Sequence, residues 1–335
     1  MKEQQIIKIG IIGLGQIAQT IHIPLWAKMN NAEIAAVYDP DKDRAKAISE
    51  KLKAKVYNSV DALLADDEID AVHICSPTHT HMKYTLEALE ANKHVLVEKP
   101  IARNFEESQK IFDVWKKTDR VVMVGMNQRF RQDAMILKSF LDNKDLGDVY
   151  YIRAGWNKPI RDAHSWRLKK SQSGGGVLLD LGILMIDLSL WLTNFPKIKS
   201  VSAMTFHHNI DSVEDTCIFQ AFFDGGVIHI ENSWSPILDS DEQWMRVYGT
   251  AGSAKMNPFN IHKMMHGNLV DITPRGVEND KNMYKKSYEN ELKHFIGAVR
   301  KLHPATCTPK DSIDRMKLID AIYLSAKTGK EVKID

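Results

Sequence analysis

Ile6-Ile7-Lys8-Ile9-Gly10-Ile11-Ile12-Gly13-Leu14-Gly15-Gln16-Ile17-Ala18 is the stretch from which the fold is read. Ile6 to Ile12 has the composition of a buried strand, and a GxGxxA loop follows at once. Gly13 permits a tight turn, Gly15 lets the backbone approach a pyrophosphate, and Ala18 allows a helix to pack closely on the strand. The amino end of that helix then offers N–H groups to phosphates, which makes Gln16 and Ile17 cofactor-binding candidates beside Gly13 and Gly15. Pro24 breaks or restarts the helix, and His22 just before it reads as structural.

Outward from this loop, strands and helices alternate. Ile34 to Tyr38 is a strand ending at Asp39, about 20 residues past Ala18, the separation expected of a carboxylate that binds the adenosine ribose. Asp39 would repel a 2′-phosphate, so NAD is preferred over NADP, although Lys42 and Arg44 lie close by. Asp41 to Leu52 reads as a helix, Lys55 to Tyr57 as a strand, Asp61 to Ala65 as a helix and Ala71 to Ile74 as a strand. The loop Cys75-Ser76-Pro77-Thr78-His79-Thr80-His81 follows, with Thr80 as the cap of a helix running to Ala91. His79 and His81 lack zinc-site spacing, so no metal is expected.

Val95-Leu96-Val97-Glu98-Lys99-Pro100 is a strand stopped by a proline, which cannot donate a ladder hydrogen bond. Glu98 and Lys99 therefore stand at a carboxyl-terminal strand edge, where open α/β sheets bind ligands. Asn104 with Glu107 resembles a capping box for a helix from Phe105 to Lys117, and Val121 to Gly125 is a further strand before Asn127-Gln128-Arg129-Phe130. The alternation predicts a doubly wound parallel sheet over residues 1–127.

Residues 128–335 read differently. Asp148 to Trp156, Lys199 to His207, Asp215 to Phe223, Val227 to Ser233 and Trp244 to Gly249 are strands joined by turns, with Asp224-Gly225-Gly226 as a hairpin signal. This predicts an α+β domain with a largely antiparallel sheet. Ser173-Gly174-Gly175-Gly176 opens an apolar helix, Val177 to Leu192, as either a ligand-approach loop or an ordinary turn. Asp180, Leu184 and Asp187 share one face of that helix, and either acid could pair with a buried arginine. Tyr284 to Lys301 and a segment capped by Asp311 and running to about Lys327 are helices, Val332 to Ile334 is a candidate to return to a sheet, and the last helix is a candidate to pack back on the first domain. Asn257 to Lys281 gives no pattern.

Composition narrows the class. The chain has 335 residues, 44% of them hydrophobic and 26% charged, with a net charge of +2. That is enough for a sizeable core and carries no basic footprint for nucleic acid. Cys75, Cys217 and Cys307 are odd in number and widely spaced, which fits a reducing, cytoplasmic setting rather than a disulfide framework. No signal-peptide pattern follows the start. Asp180 and Asp187 interrupt the most apolar run, against a membrane span.

GLGQIA, the aspartate after the second strand, CSPTHTH, VLVEKP and NQRF occur in an order and spacing that resemble the Gfo/Idh/MocA oxidoreductases, among them glucose-fructose oxidoreductase and inositol dehydrogenase. The resemblance covers essentially the whole chain. It implies that Lys99 binds the reacting hydroxyl near the nicotinamide. Pro77, with Ser76 and His81 around it, would line the cofactor, and Glu98 and Pro100 would place its nicotinamide end. Arg129 matches a motif arginine and would join the cofactor-binding residues. GGGVLLDLGILMID looks like the family's glycine-rich loop followed by D-x-G-x-H-x-x-D, which Asp180 and Asp187 match. The histidine position is Leu184, so the usual lysine-plus-histidine proton transfer does not carry over whole. The resemblance also implies a homodimer or homotetramer formed through one open face of the C-terminal sheet.

These readings predict an NAD-dependent oxidoreductase acting on a small polyhydroxylated molecule, a sugar, sugar derivative or cyclitol. Lys99 would favour negative charge on the reacting oxygen, and Asp180 would orient the substrate or act with Lys99. The loop residues His164, Trp166 and Arg167, with Asp187, are substrate candidates, and His164 or Lys99 could supply the missing base. Two alternatives are an NAD-dependent glycoside hydrolase on the same fold and a non-catalytic dinucleotide and sugar sensor.

Overall fold

The computed structural model describes residues 6–160, 165–277 and 282–334. The chain forms two compact units, residues 1–127 with 288–313 and residues 128–287 with 314–335.

In the first unit, β1 (Ile7–Ile12), β2 (Ala32–Tyr38), β3 (Lys55–Val56), β4 (Ala71–Ile74), β5 (His94–Val97) and β6 (Val122–Val124) form one sheet. Its order is β3-β2-β1-β4-β5-β6, and every neighbouring pair is parallel. The strand order therefore reverses between β1 and β4, the switch point outside which such sheets bind ligands. Ile9, Ile11, Ile12, Val72, Ile74 and Val95 to Val97 are buried completely, as strands covered on both faces must be.

Local chemistry explains the helices. The segment after the glycine loop is π-helical over Ala18–His22 and α-helical over Ile23–Trp26. Pro24 follows the π-helical turn, and the helix runs on through it from Gln16 to Trp26, so the expected break or restart does not occur. Asp41 caps Lys42–Leu52 by accepting the Arg44 N–H at 3.0 Å. Asn104 caps Phe105–Trp115 through the Glu107 N–H at 2.9 Å. The Glu107 carboxylate returns one residue further back than a capping box requires, to the Arg103 N–H at 3.0 Å. Thr80 does not cap its helix. It ends a short 3-10 turn, and its hydroxyl donates to the Pro77 carbonyl at 2.8 Å.

The second unit holds a nine-stranded sheet. Its middle consists of β7 (Val149–Asn157), β8 (Ile198–Phe206), β9 (Thr216–Phe223), β10 (Gly226–Ser233) and β11 (Glu242–Gly249). β12 (Gly252–Met256), β13 (Asn260–Met265) and β14 (Asn268–Asp271) extend one edge, and β15 (Val332–Lys333) closes the other. The order is β14-β13-β12-β11-β7-β10-β9-β8-β15. β7 and β10 run parallel and the other neighbours antiparallel.

The helix Ile183–Leu192 packs on this sheet and is buried on nearly every side, as an all-round apolar helix must be. Lys170 to Leu192 is long and apolar enough to cross a bilayer, but 89% of its most apolar window is buried inside the fold. The expected single α-helix from Val177 opens instead with a π-helical turn, Leu178–Gly182, which carries Asp180. The last helix, Pro309–Thr328, begins two residues before Asp311, which lies in its first turn rather than at its cap. On the other face of the sheet Met204, Phe206 and Ile218 stand 66%, 38% and 37% exposed.

Candidate functional site

The glycine loop has the shape its sequence requires. Gly13 adopts φ +92°, and a Cβ there would lie 2.6 Å from the Ser76 nitrogen. Only glycine fits that approach. At Gly15 a Cβ would meet nothing within 4 Å, so the backbone faces open ground where a pyrophosphate can pass. Gln16 is exposed and Ile17 partly so at the start of the helix. These residues fit a dinucleotide.

Asp39 follows β2 and is buried against the same loop. Its carboxylate accepts the Leu14 N–H at 2.7 Å and the Asp41 N–H at 2.9 Å. Arg44, which sequence reasoning noted only as a neighbour, brings Nη1 to 3.2 and 3.4 Å from the two carboxylate oxygens.

The loops after β4 and β5 are tied together by His81. Its Nδ1 lies 2.7 Å from the Pro100 carbonyl and its Nε2 2.8 Å from the Ser76 carbonyl. Both nitrogens are thus engaged inside the protein, and burial lowers the pKa of the ring against the pull of the two carbonyls. His81 holds the loops after β4 and β5 together. The Ser76 hydroxyl is 2.6 Å from that of Thr80. Lys99 is half-buried, precedes a cis peptide to Pro100, and donates its backbone N–H to its neighbour Glu98 at 3.1 Å. Glu98 meets His22, whose Nε2 is 2.6 Å from Glu98 Oε1. Burial alone would raise the Glu98 pKa, but the His22 hydrogen bond and the Lys99 charge bring it below the ordinary value.

His22, His73 and Cys75 place ligand-type atoms within 4.8 Å of one another. Hydrogen bonding assigns them a different role. Trp26 Nε1 donates to His73 Nδ1 at 3.0 Å, and an indole N–H can only donate. Burial keeps His73 neutral and the Cys75 thiol protonated, so the His73 proton sits on Nε2 and the ring has no lone pair left for a cation.

In the second unit the structure brings three sequence candidates together. Arg167 Nε lies 3.5 Å from Asp180 Oδ1, and its guanidinium stacks 4.9 Å from the centre of the Trp166 ring. His164 lies outside the described residues. Leu184 is 4% exposed and belongs to the core. Asp187 does not stand with Asp180 at an accessible face. It is fully buried, with Arg129 Nε and Nη2 at 2.8 and 2.6 Å from its two oxygens and Arg315 Nη1 bonded to the same carboxylate. Burial works to raise its pKa, and the two guanidiniums more than reverse that. Asp187 and Arg129 are therefore joined in a buried ion cluster inside this unit, the pairing with a buried arginine that the sequence allowed for either acid. Arg129 is further flanked by Trp191 and Phe195.

The glycine run divides between a turn and close packing, with Gly174 at φ +87° as the left-handed residue that ends Lys170–Ser173. Gly176 and Leu178 donate N–H bonds to the Glu214 carboxylate at 2.9 and 3.1 Å, and the Tyr323 hydroxyl donates to it at 2.9 Å. A Cβ at Gly175 would collide with Tyr323 and one at Gly176 with Glu214. Gly175 and Gly176 serve close packing around an internal carboxylate whose pKa burial pushes up. Nothing local in the sequence marks Glu214 or Arg315 as their partners.

Residues 7–126 match a family model described as "Oxidoreductase family, NAD-binding Rossmann fold", and residues 138–334 match "Oxidoreductase family, C-terminal alpha/beta domain". The chain is 29% identical to D-glucoside 3-dehydrogenase of Escherichia coli, with 98% of this chain and 97% of that protein aligned. It is 26% identical to myo-inositol 2-dehydrogenase of Thermotoga maritima over 98% of each. Among solved structures, levoglucosan dehydrogenase in complex with NADH and levoglucosan superposes with a TM-score of 0.89 at 19% identity, covering 98% of this chain and 100% of that one.

Proposed function

The chain belongs to the Gfo/Idh/MocA oxidoreductase family, and we propose that it moves a hydride between a nicotinamide cofactor and a hydroxyl-bearing carbon of a sugar, sugar derivative or cyclitol. The observation that carries this reading is Lys99 at the carboxyl end of β5, on the same sheet whose β1 ends in the open turn at Gly15.

The nicotinamide, when bound, accepts or supplies the hydride. Oxidation of a CH–OH group also takes a proton from oxygen. Lys99 hydrogen-bonds the reacting oxygen and favours its negative charge. Asp180 orients the substrate, with Arg167 and Trp166 beside it as further contacts. Leucine at 184 can neither take nor give a proton, so Lys99, or His164 or a residue near it in sequence, acts as the base. NAD is preferred over NADP because of Asp39. The exposed Met204, Phe206 and Ile218 support assembly of two or four copies through the open sheet face.

The test is a screen of D-glucosides, free sugars and cyclitols with NAD, followed by NADH absorbance. Stoichiometric NADH from one of them is expected. Glycoside cleavage with NAD recycled would favour the hydrolase, and NADH binding without turnover of any polyol would favour the sensor.

A further inference from the structure

We propose that Arg44 sets how strictly the adenosine end of the cofactor site rejects a 2′-phosphate, by covering the Asp39 carboxylate. This rests on the reading of the first unit as a nicotinamide-dinucleotide domain. An ionised carboxylate offers about four lone-pair positions. The Leu14 and Asp41 N–H groups occupy one on each oxygen of Asp39. Arg44 Nη1 also reaches both oxygens, at 3.2 and 3.4 Å. Its Nη2 is held 2.9 Å from Asp41 Oδ2.

Exposure decides which charge a ligand meets. The Asp39 side chain is 4% exposed and that of Arg44 is 41% exposed. The surface at the end of β2 is therefore a guanidinium backed by a carboxylate, rather than a bare carboxylate. A ribose 2′-hydroxyl reaches Asp39 by sharing it with Nη1 or displacing it. A 2′-phosphate meets a planar fork that matches its own oxygens. The pair with Asp41, whose side chain is 45% exposed, is a weak tether, so Arg44 can turn toward a phosphate at small cost. Asp39 alone would exclude NADP, and Arg44 converts that exclusion into a moderate preference.

Fluorescence titration of the full chain with NADH and with NADPH tests this without any substrate. Arg44→Ala should raise the ratio of the NADPH to the NADH dissociation constant at least tenfold, about 1.4 kcal/mol. Asp41→Asn keeps a cap acceptor for the helix but loosens Nη2, and should lower the ratio. The steeper salt dependence of NADPH binding should shrink in Arg44→Ala. An unchanged or lower ratio in Arg44→Ala, or a ratio that follows Lys42→Ala instead, would overturn the proposal. Wild type binding neither nucleotide would overturn it together with the dinucleotide reading beneath it.

Discussion

His22 Nε2 lies 2.6 Å from Glu98 Oε1, with both side chains buried in the first unit. An ionised carboxylate only accepts hydrogen bonds, so Nε2 carries the proton. The helix that begins at the glycine loop is thereby bonded to the residue preceding Lys99. A histidine that reads as structural in the sequence thus supports the site at one remove.

His22→Ala should therefore destabilise the protein by about 3 kcal/mol, since it strands a buried charge. Glu98→Gln in the same background removes that charge and should recover part of the loss, with a coupling of roughly 1–3 kcal/mol. Urea denaturation of the two single variants and the double variant measures it. Strict additivity would show that the two residues do not act as a pair.

Asp187→Ala should be worse. It leaves the guanidiniums of Arg129 and Arg315 facing each other in the core, where breaking a buried pair costs about 3–5 kcal/mol. Calorimetric melting should fall by roughly 10 °C, at ~2–4 °C per kcal/mol for a unit of this size. Thermal stability within 1–2 °C of wild type, roughly the effect of an ordinary surface substitution, would mean that the cluster is not a fixed structural element.

The fold was legible because its signals are local. Strand composition, the turn at Gly13, the cap residue Asn104 and the proline after Lys99 each act within a few residues of themselves. What escaped depends on distant partners. Gly175 and Gly176 are glycines because of Tyr323 and Glu214, and Asp187 is tolerated because of Arg129 and Arg315. The π-helical turn at Leu178–Gly182 changes the face on which Asp180 stands, and an assumed 3.6-residue period cannot show that. β12 to β14 lack runs of β-branched residues and are held by pairing in series, β12 on β11, β13 on β12 and β14 on β13. The exposed guanidinium over Asp39 was hidden for a related reason: a carboxylate at the right spacing does not reveal what covers it.

Stability should fall as pH drops from about 7 to 5. Burial, with the Arg120 charge second, holds His94 at about 4, and burial, with His303 second, holds His294 at about 4. Burial also keeps His73 well below its ordinary value. The folded state thus binds fewer protons than the unfolded chain below pH ~6.5, so stability rises with pH across that window. His94→Asn keeps an acceptor for the Val121 N–H, which His94 Nδ1 takes at 2.9 Å, and should flatten the slope of melting temperature against pH. An equally steep slope in that variant would remove His94 from the account.

Met204→Asp places a charge on the exposed apolar face of the nine-stranded sheet. If that face joins copies of the chain, sedimentation should show a smaller assembly than wild type, with helix and strand content unchanged. An unaltered sedimentation coefficient would move the interface elsewhere.

Lys99→Ala should lower turnover by ~10² or more, the range for acid–base groups, on whichever substrate the NAD screen identifies. NADH affinity should change little, because Gly15 and Asp39 lie on other elements of the sheet. Leu184→His is the informative partner variant. The structure surrounds Leu184 with core, so a polar ring there costs stability and should lower activity, unless the site lacks a base that the new imidazole can supply. A wild-type rate that rises through one ionisation and disappears in His164→Ala would identify the present base. Near wild-type turnover in Lys99→Ala would reduce Lys99 to a solvated charge at a strand end. No turnover in wild type, with activity gained in Leu184→His, would mean that the chain binds its sugar without oxidising it.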